Sequence, residues 1–494
     1  MILQPARTAR GHGARGPGGG AVANSYNRPP PVLGWNARDA LASMKPGEAS
    51  QLDNWFPGTS SAKVRRGSAE HATGLGSSVE SVMAYTSPTA SKLFGAAGES
   101  IFDVTIAGAV GAAAVSGLTN ARWQHVNFST AGGNFLLAFN GDDAPRSYDG
   151  SSWATPSITG SGLTASNLIA PNIFKERLFM IEKNTLDFWY LGTKAISGTA
   201  AKFTLGSVFR LGGYLMQMAT WSRDGGAGLD DLAVFMTSMG EVAIFQGTDP
   251  GDADAWALVG RFRLAPPIGR RCMLPLAADV AVVTIDGVFP LSKVLQTDRA
   301  APHFALTDKI RDAFNSAAKL HRNRFGWQPL LYPKGGMGIF NVPISSTKAH
   351  QYVINTTTGA WCRFTGLNSM CWEMFGEELF FGGVDGKVHK ADTGTGDAGD
   401  TVNIEANALT AYDYFGAKGQ RKACTMIRPV MKSEAAIPVA VAVCADFQDR
   451  QATSIPSPLS VGGTPWGSPW GSPWSSGSRV RTGWQGAEGY GYCF

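Results

Sequence analysis

The sequence is short of charge, of paired cysteines and of long apolar runs. Charged residues fill 16% of its 494 positions, against about a quarter in ordinary globular chains, so long solvated helices are not its building material. The six cysteines, Cys272, Cys362, Cys371, Cys424, Cys444 and Cys493, include no CxxC pair and no zinc-like spacing. A chain of this length does not need disulfides to hold a core, so buried free thiols are expected. The longest weakly polar runs, AVGAAAVSGL and IPVAVAVCADF, fall short of the ~20 residues of a spanning helix. No membrane span is expected. The opening MILQPARTARG lacks the apolar stretch of a secretory signal, which points to synthesis in the cytoplasm.

Catalytic signatures are missing as well. There is no HExxH, GxSxG, Walker loop or dinucleotide fingerprint, and the seven histidines form no pair at metal spacing. The expectation is a protein that is not an enzyme, with no catalytic residue, no cofactor and no metal.

Charge is unevenly placed. Residues 1–31 hold Arg7, Arg10, Arg15 and Arg28 with no acid, which leaves 39 basic against 38 acidic residues in the remainder. A nearly neutral body argues against a dedicated nucleic-acid-binding domain, whose mark is a clustered basic face. The Gly, Arg and Pro content of 1–31 predicts a disordered or extended arm.

What the chain has in quantity is glycine (61) and tryptophan (14). Between residues 79 and 399 one pattern recurs: an apolar strand, a glycine-centred turn, then a second alternating strand. It is legible in KLFGAAGESIFDVT, FLLAFNGDDAPRSYDG, RLFMIEKNTLDFWYLG, LAVFMTSMGEVAIFQG, VAVVTIDGVFPLSKVL, GIFNVPISSTKAHQYVINTTTGAW and LFFGGVDGKVHKAD. Asn-Gly, Asp-Gly and Met-Gly supply the positive φ that tight hairpins need. Units start roughly 40 to 60 residues apart, the spacing of propeller blades. Strand-like runs precede each unit (VESVMAY, WQHVNF, MCWEMF) and follow several (SSWATP, WALVGRFRL). The fold expected is therefore mainly all-β: a β-propeller of about seven four-stranded blades.

One amphipathic helix interrupts the pattern at 307–323, with Ile310, Phe314, Ala317 and His321 on one face and Thr307 or Asp308 as cap. It reads as an insertion in the fifth blade. The last blade lacks a fourth strand, and residues 62–73 are the candidate to close it, within an N-terminal segment 32–78. Residues 400–450 read as a small C-terminal β unit. The tail 451–494 repeats Pro-Trp-Gly-Ser, and Trp466, Trp470 and Trp474 are candidate interface anchors, either on a partner or on the chain's own body.

SYDGSSW (147–153) is one residue short of the Asp-box turn of sialidase propellers. Asp149 is read as tying the turn through its carboxylate, with Trp153 packing between blades. A propeller hydrolase would need several arginines converging with a Tyr and an acid; Arg122, Arg177, Arg210, Arg261 and Arg324 recur without a spacing that singles them out. A propeller that binds a receptor or glycan is the other alternative.

The most specific stretch is GWNARDALASMKPGEASQLDNWFPGTSSAKVRRGSAEHATGL (34–75), with Trp35, Asp39, Leu52-Asp53-Asn54-Trp55 and Arg65-Arg66-Gly67. It resembles the start of the tail tubular protein B, or nozzle, family of short-tailed bacteriophages. The Pro-Trp-rich tail and NTTTGAWCRFTG (355–366) are similar in character. The resemblance implies a structural virion protein of the phage tail: a homohexameric ring below the adaptor and portal. It further implies contacts with the adaptor and with tail fibres or spikes, and genomic DNA passing non-specifically through the lumen during ejection. A near-neutral body suits such a conduit, because each phosphate neutralised would slow passage.

Overall fold

In the computed structural model the described residues are 2–3, 25–224, 229–276, 279–294, 302–416, 421–424, 426–432, 439–449, 485–486 and 490–492. They form a seven-bladed β-propeller, one sheet per repeat unit, with three rather than the expected four strands in blades one and five. Inner strands are Val79–Thr86, Gln124–Thr130, Leu168–Phe174, Leu215–Asp224, Met273–Leu276, Gln328–Tyr332 and Ser369–Phe375, in blade order one to seven.

The second strand of each blade explains the continuous apolar runs. In Gly133–Phe139 of blade two, Leu136 and Ala138 pack toward blade one while Leu137 and Phe139 pack toward blade three. Blade four repeats this: Ala233 and Phe235 join the core shared with blade three, Val234 and Met236 the core shared with blade five. Strand side chains alternate faces, and both faces of a blade are buried, so both sets must be apolar. Fully burying each such Leu, Val or Phe contributes about 1.5–3 kcal/mol.

Closure uses the N-terminal segment. Gly67–Thr73 lies antiparallel to Val388–Thr393 as the fourth strand of blade seven, with Ala72 opposite Val388 and Ser68 opposite Ala391. Two further pieces of the same segment extend blade six. Glu48–Asp53 runs parallel to Trp361–Phe364, and Gly34–Trp35 runs parallel to Glu48–Asp53. The segment thus completes blade seven and also clamps onto blade six.

Several expectations need correction. The helix is present at Arg311–His321, entered through a short 3-10 turn at Asp308–Ile310, with Ile310, Phe314 and Ala317 buried. Neither proposed cap acts as one. The buried Thr307 hydroxyl instead accepts the Val288 N–H at 3.1 Å, and Asp308 pairs with Arg38. VFPLSKVL does not remain a strand: after Gly287–Pro290 the chain turns into a helical turn, Leu291–Val294. Asp279 draws it round by accepting from the Ser292 N–H and hydroxyl at 3.1 and 2.5 Å.

Of residues 400–450, one strand joins a blade, while Arg421–Ala423 and Met426–Ile427 pair with Tyr490–Tyr492 and Gln485–Gly486 in two small sheets outside the blades. Asn407–Thr410 pairs antiparallel with Glu48–Asp53 and so belongs to the blade-six sheet. Residues 439–445 form no strand. Alternating apolar residues make a strand possible, but only a free neighbouring edge makes one. The end of the arm is anchored rather than solvated: Arg28 is buried, donating to the Asp413 carboxylate and the Ala411 carbonyl. The rest of the arm, 4–24, and Trp466, Trp470 and Trp474 lie outside the described residues. Among the described residues no helix is long and apolar enough to cross a membrane.

Candidate functional site

The signature residues converge on one seam, where the N-terminal segment crosses blades six and seven. Leu52 is fully buried, and Trp35 is nearly so. The Trp35 indole donates to Ser50 O at 3.0 Å, and its ring meets Tyr352 edge-on at 5.3 Å. Asp53 takes both prongs of the Arg363 guanidinium, at 2.6 and 2.7 Å, the planar two-bond geometry that makes arginine–carboxylate pairs strong.

Asn54 sits at φ 59°, in the left-handed region that asparagine tolerates better than most residues. Its carbonyl accepts from Arg65 Nε at 2.9 Å and from the Thr365 N–H at 2.8 Å. Its amide donates to the Thr365 hydroxyl at 2.9 Å and Glu405 O at 2.7 Å. Trp55 opens a short hairpin, opposite Val64. Arg65, almost wholly buried, donates to both oxygens of Asp397 and to Thr365 O. Arg66 is exposed.

Gly67 is required by space: a Cβ there would lie 1.6 Å from the Gly396 carbonyl oxygen. Asp39 accepts from Arg38, Asn36 and Lys309. The Arg38 hydrogen bond, then that of Asn36, holds its carboxyl well below the usual carboxylate range. Every one of these roles except that of the exposed Arg66 is a structural tie.

The second locus is the propeller axis. A cavity of about 180 Å³ takes lining residues from all seven inner ends: Val82, His125, Pro171, Gln217, Met273, Gln328 and Glu373. His125 Nε2 and Glu373 Oε2 face each other at 3.5 Å. Burial pushes the Glu373 carboxyl up to about 8 and, with Arg271 close by, pushes the His125 imidazole down to about 4. Between those values the pair is uncharged, a carboxylic acid beside a neutral imidazole.

Arg271 spans the axis. It donates to Ser81 Oγ at 2.8 Å, Trp123 O at 3.0 Å, and Glu80 O and Gln328 Oε1 at 3.2 Å. It ties blades one, two and six to blade five and plugs the centre.

Sequence reasoning did not find His125, Glu373 or Arg271. The available signal was a polar residue inside an otherwise apolar inner strand, as in WQHVNF and MCWEMF, but nothing local says that the inner strands meet on an axis.

The Asp149 turn is as read from the sequence. Its carboxylate accepts from the Ser151 and Ser152 N–H groups at 2.8 and 2.7 Å and from the Ser151 hydroxyl. These bonds, the one from Ser152 foremost, hold its carboxyl down to about 2. Trp153 lies 4.9 Å from Phe94 of blade one and 5.4 Å from Tyr148 of its own blade, packing between blades. The five recurring arginines do not converge on one site, and Arg324 is exposed just beyond the helix. Arg122 pairs with Glu80 and covers Phe325, Arg177 pairs with Asp249, and Arg210 and Arg261 share a cleft on blade four.

No protein-family model and no curated protein sequence matches the chain. Among solved structures, it is similar to BBS1N as seen in complex with ARL6DN and soaked with mercury. That likeness has a TM-score of 0.41 and 12% identity over 69% of this chain and all of that one. It is also similar to Raptor of Chaetomium thermophilum, with a TM-score of 0.40 and 9% identity over 66% of this chain and 29% of that one. At these values the likenesses carry no argument; the blade count rests on strand pairing alone.

Proposed function

We propose that the chain is a structural virion protein, a nozzle subunit of a short-tailed phage. In this reading copies of it form a ring that continues the ejection channel below the adaptor and portal and supports fibres or spikes. The observation that carries this reading is the use made of segment 34–75. Its resemblance to the opening of the nozzle family falls on residues that hold the propeller shut, from Trp35 to Gly67.

A second observation bears on how a conduit could be built. The propeller axis is filled by Arg271, Gln217, Gln328 and the His125–Glu373 pair, so a duplex has no way through one subunit. A channel would lie between copies, around a symmetry axis outside each propeller. The alternative, a propeller binding a glycan or receptor on its axis, fits less well. The axial cavity of about 180 Å³ is below the roughly 300–1,000 Å³ of ordinary ligand pockets.

Native mass spectrometry of the purified protein, alone and with its adaptor, tests the reading, with negative-stain averages of the same samples. A closed ring, alone or on adding adaptor, is the expected result. A monomer that ignores the adaptor and is retained on a glycan array overturns it. The Trp466, Trp470 and Trp474 tail is assigned to ring or fibre contacts. Changing all three to Ser should weaken assembly or fibre attachment, and unchanged assembly and attachment would remove that role.

A further inference from the structure

The outer edge of blade four carries a cluster of cations that the ring reading does not use. Arg210, Arg261 and Arg263 line one cleft of about 280 Å³, with Leu211, Phe262 and Glu241 completing the wall. Arg261 and Arg263 belong to the edge strand Trp256–Arg263. Two residues apart on a strand, they project to the same face.

Arg210 is brought to them by Glu241. That buried carboxylate accepts the Arg210 N–H at 3.0 and 3.1 Å and the Leu211 N–H at 2.8 Å. These bonds pin the loop after Phe209 against the end of the sheet. Glu241 is thereby engaged by backbone amides, and among the described residues none of the three arginines forms an ion pair. Arg261 spends one nitrogen on Val208 O, at 2.6 Å, while Arg210 and Arg263 are exposed. By contrast, Arg177 pairs with Asp249 and Arg122 with Glu80. Three guanidiniums against one carboxylate leave the cleft with a surplus of two positive charges.

We infer that this cleft is a phosphate-binding site, in which the forks of Arg210, Arg261 and Arg263 close on the oxygens of a single phosphate group. The guanidinium geometry selects planar or tetrahedral oxyanions that accept two bonds from one fork. Leu211 borders the cleft beside the forks. The same chemistry is carried by a free phosphate and by a phosphodiester chain. The inference stands for a lone propeller as well as for a ring, so it can fail without the ring reading failing.

The test is calorimetry with inorganic pyrophosphate and anisotropy with a short labelled DNA duplex, on the full-length protein and on the Arg210→Gln, Arg263→Gln double variant. Neither residue has a bonding partner through its side chain among the described residues, so the variant should melt with the parent. Arg263→Lys, which keeps charge but loses the fork, serves as a second variant. The parent should bind pyrophosphate, with a loss of about tenfold or more in the double variant and a smaller loss in Arg263→Lys.

If the natural source is a phosphodiester chain, duplex should compete with pyrophosphate. The salt slope of duplex binding should then fall by about one in the double variant. If the source is a free phosphate, pyrophosphate should bind and duplex should not compete. A parent that binds neither probe, or a double variant that binds pyrophosphate as the parent does, overturns the assignment.

Discussion

Arg65 and Asp397 meet face to face across the seam between the N-terminal segment and the end of blade seven. The two guanidinium nitrogens donate to the two carboxylate oxygens at 2.9 and 2.6 Å. The residues are 332 positions apart in sequence, and the Arg65 side chain is 2% exposed. A buried charge is costly to orphan, so the pair works as a latch for ring closure.

Arg65→Ala should therefore lower stability by about 3–5 kcal/mol, the usual cost of breaking a buried pair from one side. It also strips donors from Asn54 and Thr365 O. Urea unfolding followed by fluorescence reads the change. A loss below about 1 kcal/mol, the level of an exposed pair, would show that the latch is not needed.

Space at Gly67 gives a sharper test. A Cβ at this position would lie 1.6 Å from Gly396 O and 2.3 Å from Gly396 C, both backbone atoms that cannot rotate away. Gly67→Ala should cost about 3 kcal/mol or more and favour release of the closing strand. Gly111→Ala is the control, since nothing lies within 4 Å of the added methyl. Equal melting temperatures for the two variants would refute the close approach.

The axial pair predicts a pH dependence. Glu373 in the folded protein holds its proton up to about 8, whereas an unfolded glutamate loses it near pH 4.3. The folded state thus binds more protons than the unfolded one between those values, and stability falls as pH rises across them. His125, pushed down to about 4, acts in the opposite sense below its unfolded value of about 6.5. From about pH 6.5 to 8 the Glu373 effect is unopposed by the histidine. Over that interval Glu373 should remove roughly 2 kcal/mol, at 1.36 kcal/mol per pKa unit. Glu373→Gln should flatten the profile there; an unchanged slope would mean that Glu373 is ionised in the native protein.

At the Asp149 turn the signs reverse. A carboxyl held down to about 2 contributes stability that is complete above the unfolded pKa of about 3.9 and lost as pH falls toward 2. Asp149→Ala should cost about 1 kcal/mol at neutral pH by loss of the turn hydrogen bonds. It should also reduce the acid sensitivity of the melting temperature. A variant as stable as the parent at pH 7 would leave the turn to its glycine alone.

The repeat was legible because it is local. Apolar alternation, the Asn-Gly and Asp-Gly turns and the spacing of the units are each contained within a few dozen residues. They mark the strands of all seven blades and the helix at Arg311–His321. The closing strand was also legible, since a blade one strand short demands a partner. The seam was legible as a set of unusual residues, but not as a set of contacts.

By itself the sequence determined most of the segments that become strands, where they turn, and that both faces of most blades are apolar and so must be covered. Tertiary structure decided what those segments touch. The Asp53–Arg363 and Arg65–Asp397 pairs, the His125–Glu373 pair on the axis and the three arginines of the blade-four cleft join residues whose spacing in the chain carries no period. Closing the ring brings the first and last blades together and turns seven inner strands toward one line. Only then do a buried carboxyl and a buried imidazole become neighbours, and only burial shifts their protons.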